Sequence, residues 1–333
     1  MVLLFASAGI KAQTLEDFNA EIVKFVNKGE YDKAITVAIN SAEFAYINFG
    51  KESNNYAAVL NNLGYLYENT DDFKKAETFY LQSVAIRKKI LPANHPDYIV
   101  SLQNLANLYI KSREYSKAEV FSLQIAEQIK KKPGITSPEY AEALNRLALV
   151  YDGQKKYDQA EQHYLQSLHI LRTTKSTDLF LSFLNNLAVH YNNRNNISKA
   201  ESIYLELIAN RKKILGEEHV DYIEAIFDLA ALYSRAEQYV KAEPLLIQTI
   251  TFQKKTVGEE NPGYITNLEN LATIYKKTAQ YKKSDSLWEQ IIGFNLKKSG
   301  DSSFEYANAL NERGLLYSAE NNYDKAEKTY GKH

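Results

Sequence analysis

Between Tyr56 and Lys89 the apolar residues fall into two groups, each with helical spacing. Leu60, Leu63, Gly64 and Tyr67 share one helical face. After Asp71-Asp72, the run Phe73-Lys-Lys-Ala-Glu-Thr-Phe-Tyr80 places Ala76 and Tyr80 together on a second. Apolar positions three and four apart mark an amphipathic helix, so the stretch predicts two helices joined by a short turn. The pattern then recurs. The Tyr56 place is filled by Tyr98, Tyr140, Phe180, Tyr222, Tyr264 and Tyr306, at intervals of 42 residues, or 40 between Tyr140 and Phe180. A fixed period of this size predicts a stacked array of helical hairpins.

Each unit repeats the same packing residues. The small residue after the second Leu place is Gly64, Ala106, Ala148, Ala188, Ala230, Ala272 and Gly314, and three positions on stands Tyr67, Tyr109, Tyr151, Tyr191, Tyr233, Tyr275 and Tyr317. The second helix carries Ala76, Ala118, Ala160, Ala200, Ala242, Ser284 and Ala326. Three residues earlier stand Phe73, Tyr115, Tyr157, Ile197, Tyr239, Tyr281 and Tyr323. A small side chain lets two helix backbones approach, and a nearby aromatic fills the remaining space. The first-helix tyrosines are therefore expected to be buried between helices, with no β-strand anywhere.

The set Leu60-x2-Leu63-Gly64-x2-Tyr67, followed by Ala76-x3-Tyr80, resembles the tetratricopeptide repeat. The period of 42, with Leu-Asn-Asn-Leu at 60–63 and 184–187, Lys-Ala-Glu at 75–77 and 199–201, and Ile214-Leu-Gly-Glu-Glu-His219, resembles the longer kinesin-light-chain type. The resemblance covers nearly the whole chain. It implies an all-α fold, a right-handed superhelical solenoid of antiparallel helix pairs. Residues 13–55 read as a degenerate first repeat, in which Tyr31, Ala34 and Ala38 fit the second-helix pattern but Glu21 stands where Leu63 does. Repeats follow at 56–97, 98–139, 140–179, 180–221, 222–263 and 264–305, and an incomplete one at 306–333, with Arg313 at a Leu place.

The connections carry helix-end chemistry. Gly216, Gly258 and Gly300 follow helical runs as C-terminal stops do. Pro96, Pro138 and Pro262 sit where helices begin, with Ser137 and Asn261 as N-caps before two of them. The unit at 140–179 is two residues short, and its link 175–178 lacks Gly and Pro; this predicts an irregularity but not a domain boundary. The apolar start, residues 1–12, is too short to span a bilayer and reads as the remnant of a secretory signal peptide. On that reading the protein is exported, to the periplasm or beyond; otherwise it is cytoplasmic. The last repeat stops in mid-helix at Gly331-Lys332-His333 with no polar capping helix, so the natural protein is expected to continue.

Composition narrows the function. Lys+Arg number 40 and Asp+Glu 41 in 333 residues, a balance that offers no electrostatic footprint for nucleic acid or an anionic membrane. There is no cysteine, hence no disulfide, thiolate metal site or cysteine nucleophile in this stretch. No phosphate-binding Gly-rich loop, His-Glu-x-x-His or Gly-x-Ser-x-Gly occurs. The six histidines are scattered: His95 and His219 share one loop place in two units, and His163 and His169 are not at ligand-pair spacing. No metal, cofactor or catalytic activity is expected. Second helices end in basic runs, such as Arg87-Lys88-Lys89 and Arg211-Lys212-Lys213. These suit the negative end of a helix dipole better than they suggest a phosphate-binding stripe.

What remains is a surface. Opposite the core face, the first helices carry Asn62, Tyr65 and Asn69; Asn104, Asn107 and Lys111; Asn145 and Arg146; Asn185, Asn186 and Asn193; Asp228 and Arg235; and Asn270 and Lys277. In proteins with this repeat, first helices line the concave side, and the Asn at the Asn62 place holds the backbone of a bound peptide. The resemblance thus implies a non-catalytic scaffold that binds a protein or peptide through these residues. Asn suits the task because its amide both donates and accepts, and its recurrence in mid-helix runs against its modest helix propensity. Two further roles are compatible with such an array. One is the recognition arm of a caspase-like CHAT peptidase whose catalytic domain lies beyond residue 333; the other is the periplasmic sensor part of a histidine kinase.

Overall fold

A computed structural model describes residues 14–331, except 257 and 260. The proposed signal segment at 1–12 lies outside the described residues. These form sixteen α-helices and no strand. They are α1 (Leu15–Val26), α2 (Tyr31–Phe49), α3 (Asn54–Asn69), α4 (Phe73–Ile90), α5 (Pro96–Lys111), α6 (Tyr115–Lys131), α7 (Pro138–Gly153), α8 (Tyr157–Thr174), α9 (Thr177–Asn193), α10 (Ile197–Leu215), α11 (Val220–Arg235), α12 (Tyr239–Thr256), α13 (Pro262–Lys277), α14 (Tyr281–Ser299), α15 (Phe304–Ala319) and α16 (Tyr323–Tyr330). Odd-numbered helices are the first helices of the hairpins.

The chain divides into two compact units, one ending at Leu179 and the other beginning at Phe180. The division falls at the short repeat, where an irregularity but no boundary is expected from the sequence. There Lys175 takes a left-handed conformation, φ 57°, at the end of α8. Within the first unit each helix packs on the next in sequence, and α3 also meets α5 as α5 meets α7.

Local chemistry sets the helix ends. Ser53, Ser137 and Ser303 accept the N–H of Tyr56, Tyr140 and Tyr306, and Asn261 accepts that of Gly263. Each satisfies a donor that a helix start otherwise leaves orphaned. His95 and His219 do the same: each Nδ1 accepts a backbone N–H, of Asp97 and Asp221 respectively, at 3.2 Å. Their shared place in the repeat is therefore a cap. Inside each hairpin the chain reverses through one left-handed residue: Gly29, Asp71, Arg113, Lys155, Asn195, Glu237, Ala279 or Asn321. The next N–H reaches back to the first-helix aromatic, as in Asp72 N to Tyr67 O (3.0 Å) and Glu114 N to Tyr109 O (2.8 Å). This is the Schellman closure of a helix C-terminus.

The packing follows the repeat. Ala76, Ala118, Ala160, Ala200, Ala242 and Ser284 have no exposed surface. Tyr109, Tyr151, Tyr191, Tyr233 and Tyr275 are buried, and Tyr67 partly so. Gly64 is required by close approach, since a Cβ there would lie 2.5 Å from the Tyr80 ring.

The Lys-Ala-Glu triplet gains a structural meaning. Glu77 accepts the Tyr109 hydroxyl at 2.7 Å and Lys117 Nζ at 3.0 Å, and Lys117 lies over the Tyr109 ring at 4.9 Å. Glu201, Tyr233 and Lys241 form the same group. The Glu of one repeat thus clamps the Tyr and Lys of the next. This lowers the carboxyl pKa of Glu77, chiefly through the Tyr109 hydrogen bond, and that of Glu201, chiefly through Lys241.

Candidate functional site

In the first unit the predicted groove residues lie on neighbouring first helices, and several are tied to one another. Asn62 donates to Asn19 Oδ1 (3.3 Å) and Asn104 to Asn61 Oδ1 (3.0 Å). Arg146 Nε donates to Asn107 Oδ1 (3.1 Å), and Lys111 Nζ to the Glu68 carbonyl (3.1 Å). The Asn62 place therefore joins one first helix to the one before it, which is a structural reason for Asn there. Asn62 and Asn104 use the amide donor in these ties and are both partly exposed. Tyr65 and Asn69 are exposed, and the Asn69 amide returns to the Tyr65 carbonyl one turn back.

Arg146 is half-buried, and its Nη1 is buried with no hydrogen-bond partner. Burial lowers its pKa, opposed by the nearby Glu142, whose own pKa burial raises. A guanidinium remains charged at neutral pH regardless. A buried donor of this kind is rare in folded proteins and calls for an acceptor.

Asn145, by contrast, is only 6% exposed. Its place in the repeat is that of Asn61, whose carbonyl is already taken by Asn104.

In the second unit Asn185 and Asn186 are partly buried, and Asn193, Arg235, Asn270 and Lys277 are exposed. Asp228, partly buried at the Asn62 place, has its pKa raised by burial; Arg211 opposes the shift and Glu224 adds to it. Glu269 is raised by burial and by Glu312, which itself pairs with Lys276 at 3.0 Å. This face is more heavily charged than that of α3 and α5.

The basic helix ends are largely engaged. Arg87 turns into the seam between repeats, donating to the Asp97 carbonyl at 2.8 Å, and Arg211 donates to the Asp221 carbonyl. Lys89 pairs with Glu52, Lys212 with Glu217 and Lys254 with Glu259. Cations matched in this way do not form a free stripe for phosphates. Among the described residues no group of His, Asp or Glu side chains is arranged to hold a metal ion, and no helix is long and apolar enough to cross a membrane.

Known proteins agree with this architecture. The structure is similar to that of a putative kinesin light chain with nearly identical TPR-like repeats from Podosopora anserina. That match has a TM-score of 0.53 and 24% identity, and covers 59% of this chain and 94% of that one. It is also similar to BtubC (BKLC) from P. vanneervenii, with a TM-score of 0.58, 20% identity and coverage of 68% and 92%. The apo form of the quorum sensor NprR from B. thuringiensis matches with a TM-score of 0.58, 15% identity and coverage of 96% and 87%. At these identities the likeness concerns the fold. No curated protein sequence matches the chain. The tetratricopeptide repeat profile matches residues 25–89, 56–127, 98–173 and 179–255, and a second profile of the same repeat matches 307–332. The chain therefore belongs to the tetratricopeptide repeat family.

Proposed function

We propose that this array is a non-catalytic scaffold that binds an extended peptide across the first helices α3, α5 and α7. The observation that carries the reading is the half-buried Arg146, whose Nε is held by Asn107 Oδ1 on the preceding first helix and whose Nη1 has no hydrogen-bond partner. A peptide carbonyl or carboxylate that reaches the guanidinium would satisfy it, and the partly exposed Asn104 amide would pair with peptide backbone groups. Contacts of this kind read backbone more than side chain, so one groove accommodates several sequences.

The test uses a peptide recovered from a random display library and titration calorimetry. Asn104→Ala with Arg146→Gln should weaken binding by about 1–3 kcal/mol, the loss expected when a buried partner is left unpaired. Lys88→Ala with Lys212→Ala, on second-helix ends, should leave affinity nearly unchanged. If the lysine pair weakens binding and the groove pair does not, the functional surface lies elsewhere.

A further inference from the structure

Three helices of the second unit, α11, α12 and α13, line a half-open cavity of about 380 Å³. Its walls are largely apolar, with Val220, Ile223, Phe227 and Phe252 prominent, and Gly263 and Asn267 also line it. The equivalent positions one repeat on, among them Ile265, Phe294, Asn295 and Glu305, line a similar cavity of about 350 Å³, so the cavity itself recurs and two residues distinguish the chemistry of this one. Gly263 stands where other repeats have Asn55, Asp97, Glu139, Leu179, Asp221 and Glu305, so no side chain occupies that part of the mouth. Asn267 stands where they have Val59, Ser101, Ala143, Phe183, Ala225 and Ala309.

Asn267 is 2% exposed. Its Nδ2 donates to Gln253 Oε1 at 2.7 Å, and its Oδ1 is buried without a hydrogen-bond partner. A core position that is apolar or small elsewhere here carries an acceptor that the fold leaves unsatisfied. Such an atom weakens the folded state unless something fills the cavity and donates to it.

We propose that this cavity binds a tyrosine side chain of a peptide ligand, with Asn267 receiving the phenolic hydroxyl. The proposal rests on the peptide-binding reading only for the source of the tyrosine. The volume is at the lower end of ligand sites, roughly 300–1,000 Å³, which suits a single aromatic side chain. Phe227 and Phe252 offer ring surfaces, and aromatic pairs gain from tilted or offset contact. A phenol both donates and accepts, so it satisfies the Asn267 amide whichever way the Asn267–Gln253 pair is turned. A carboxylate is disfavoured, because Asn267 Oδ1 and Glu224 would face it. A lysine or arginine would find Glu224 in the lining, but its charge would be desolvated against largely apolar walls and it could not accept from the Asn267 amide.

The side chain alone provides the probe: p-cresol, with toluene as the analogue lacking the hydroxyl, titrated by ligand-detected NMR. The parent protein should bind p-cresol at least about tenfold more tightly than toluene, as a site built around a hydrogen bond does. Asn267→Leu, close in volume, should reduce that preference to within about twofold, since the acceptor is gone. Asn104→Ala with Arg146→Gln should not alter p-cresol binding, which separates this site from the groove on α3, α5 and α7. The proposal is overturned if p-cresol does not bind, if toluene binds as well, or if the preference survives in Asn267→Leu. Loss of library-peptide binding in the groove variant, with p-cresol binding intact, would leave each conclusion standing on its own result.

Discussion

The seam between α4 and α5 and the seam between α12 and α13 use the same repeat positions and reach opposite outcomes. In the first, Arg87 is 5% exposed and donates to Asn54 Oδ1, the Asp97 carbonyl and Ser101 Oγ at 3.0, 2.8 and 2.7 Å. Asn54 in turn donates to Asp97 Oδ2 at 2.7 Å, and Ser83 donates to the Ala57 carbonyl at 2.8 Å. The long, forked guanidinium spans the seam and closes it. In the second, Gln253 takes the place of Arg87, Gly263 that of Asp97 and Asn267 that of Ser101. The shorter amide reaches only Asn267, and a cavity and an orphaned acceptor remain. The repeat dictates where a seam lies, and the reach of the side chain at the Arg87 place bears on whether it is bridged: Asn295, also short, borders a cavity of about 350 Å³ at the next seam.

The largest expected effect comes from breaking the sealed seam. Arg87→Ala removes three charge-assisted hydrogen bonds and leaves Asn54 Oδ1 without a donor, while Ser101 and the Asp97 carbonyl keep each other, and should destabilise the first unit by about 3–5 kcal/mol. Because repeats contact only their neighbours, hydrogen exchange should accelerate in α3 to α6 far more than in α14 to α16; uniform acceleration would contradict the local account. Next is the transplant in the other direction. Val220→Asn, Gln253→Arg, Gly263→Asp and Asn267→Ser together rebuild the Asn54–Arg87–Asp97–Ser101 network and remove the orphan, for a gain of about 1–3 kcal/mol. The same protein should no longer bind p-cresol. Urea denaturation followed by a probe in the second unit measures the gain, and a loss of stability would show that the two seams are not interchangeable.

Smaller effects compare other equivalent places. The hairpin before α2 turns on Gly29, whereas that before α14 turns on Ala279 at φ 58°. A side chain in the left-handed region is unfavourable by roughly 1–2 kcal/mol, part of which glycine returns through its freer unfolded chain. Ala279→Gly should therefore raise stability by about 1 kcal/mol or less, read as a higher denaturation midpoint. The smallest effect distinguishes Asp228 from Asn104 at the same place. Burial raises the pKa of Asp228, so the folded state holds its proton more readily than the unfolded chain does. Stability then falls as pH climbs from the ordinary aspartate range through the raised value. Asp228→Asn should stabilise by about 0.5 kcal/mol at neutral pH, given its partial exposure, and have no effect below the ordinary aspartate range. A gain that persists in acid would point to packing instead of charge.

The fold was legible because its signals are local and repeated. Ala76 and Tyr80 lie on one helical face by spacing alone, and Ser137 and Asn261 cap helices in the manner their side chains suit. The candidate site was legible only in outline. The face of Asn62, Asn104 and Arg146 follows from helical periodicity, but periodicity does not show that Asn104 is committed to Asn61 or that Arg146 Nη1 has no partner. His95 and His219 shared a place whose meaning emerged only when Nδ1 met a backbone N–H. Nor does periodicity show that Asn145, next to the half-buried Arg146, is only 6% exposed.

The sequence by itself determined the helices, the hairpins, their register and the small and aromatic residues between them, since each depends on neighbours a few positions away and is stated seven times over. Only the tertiary structure decided how Glu77 clamps Tyr109 and Lys117, where the chain divides at Leu179, and why Asn267 faces a cavity while Ser101 does not. Those outcomes depend on the reach of individual side chains across helices that meet in space, and a change of one or two atoms in that reach is invisible to a repeat pattern that tolerates either residue.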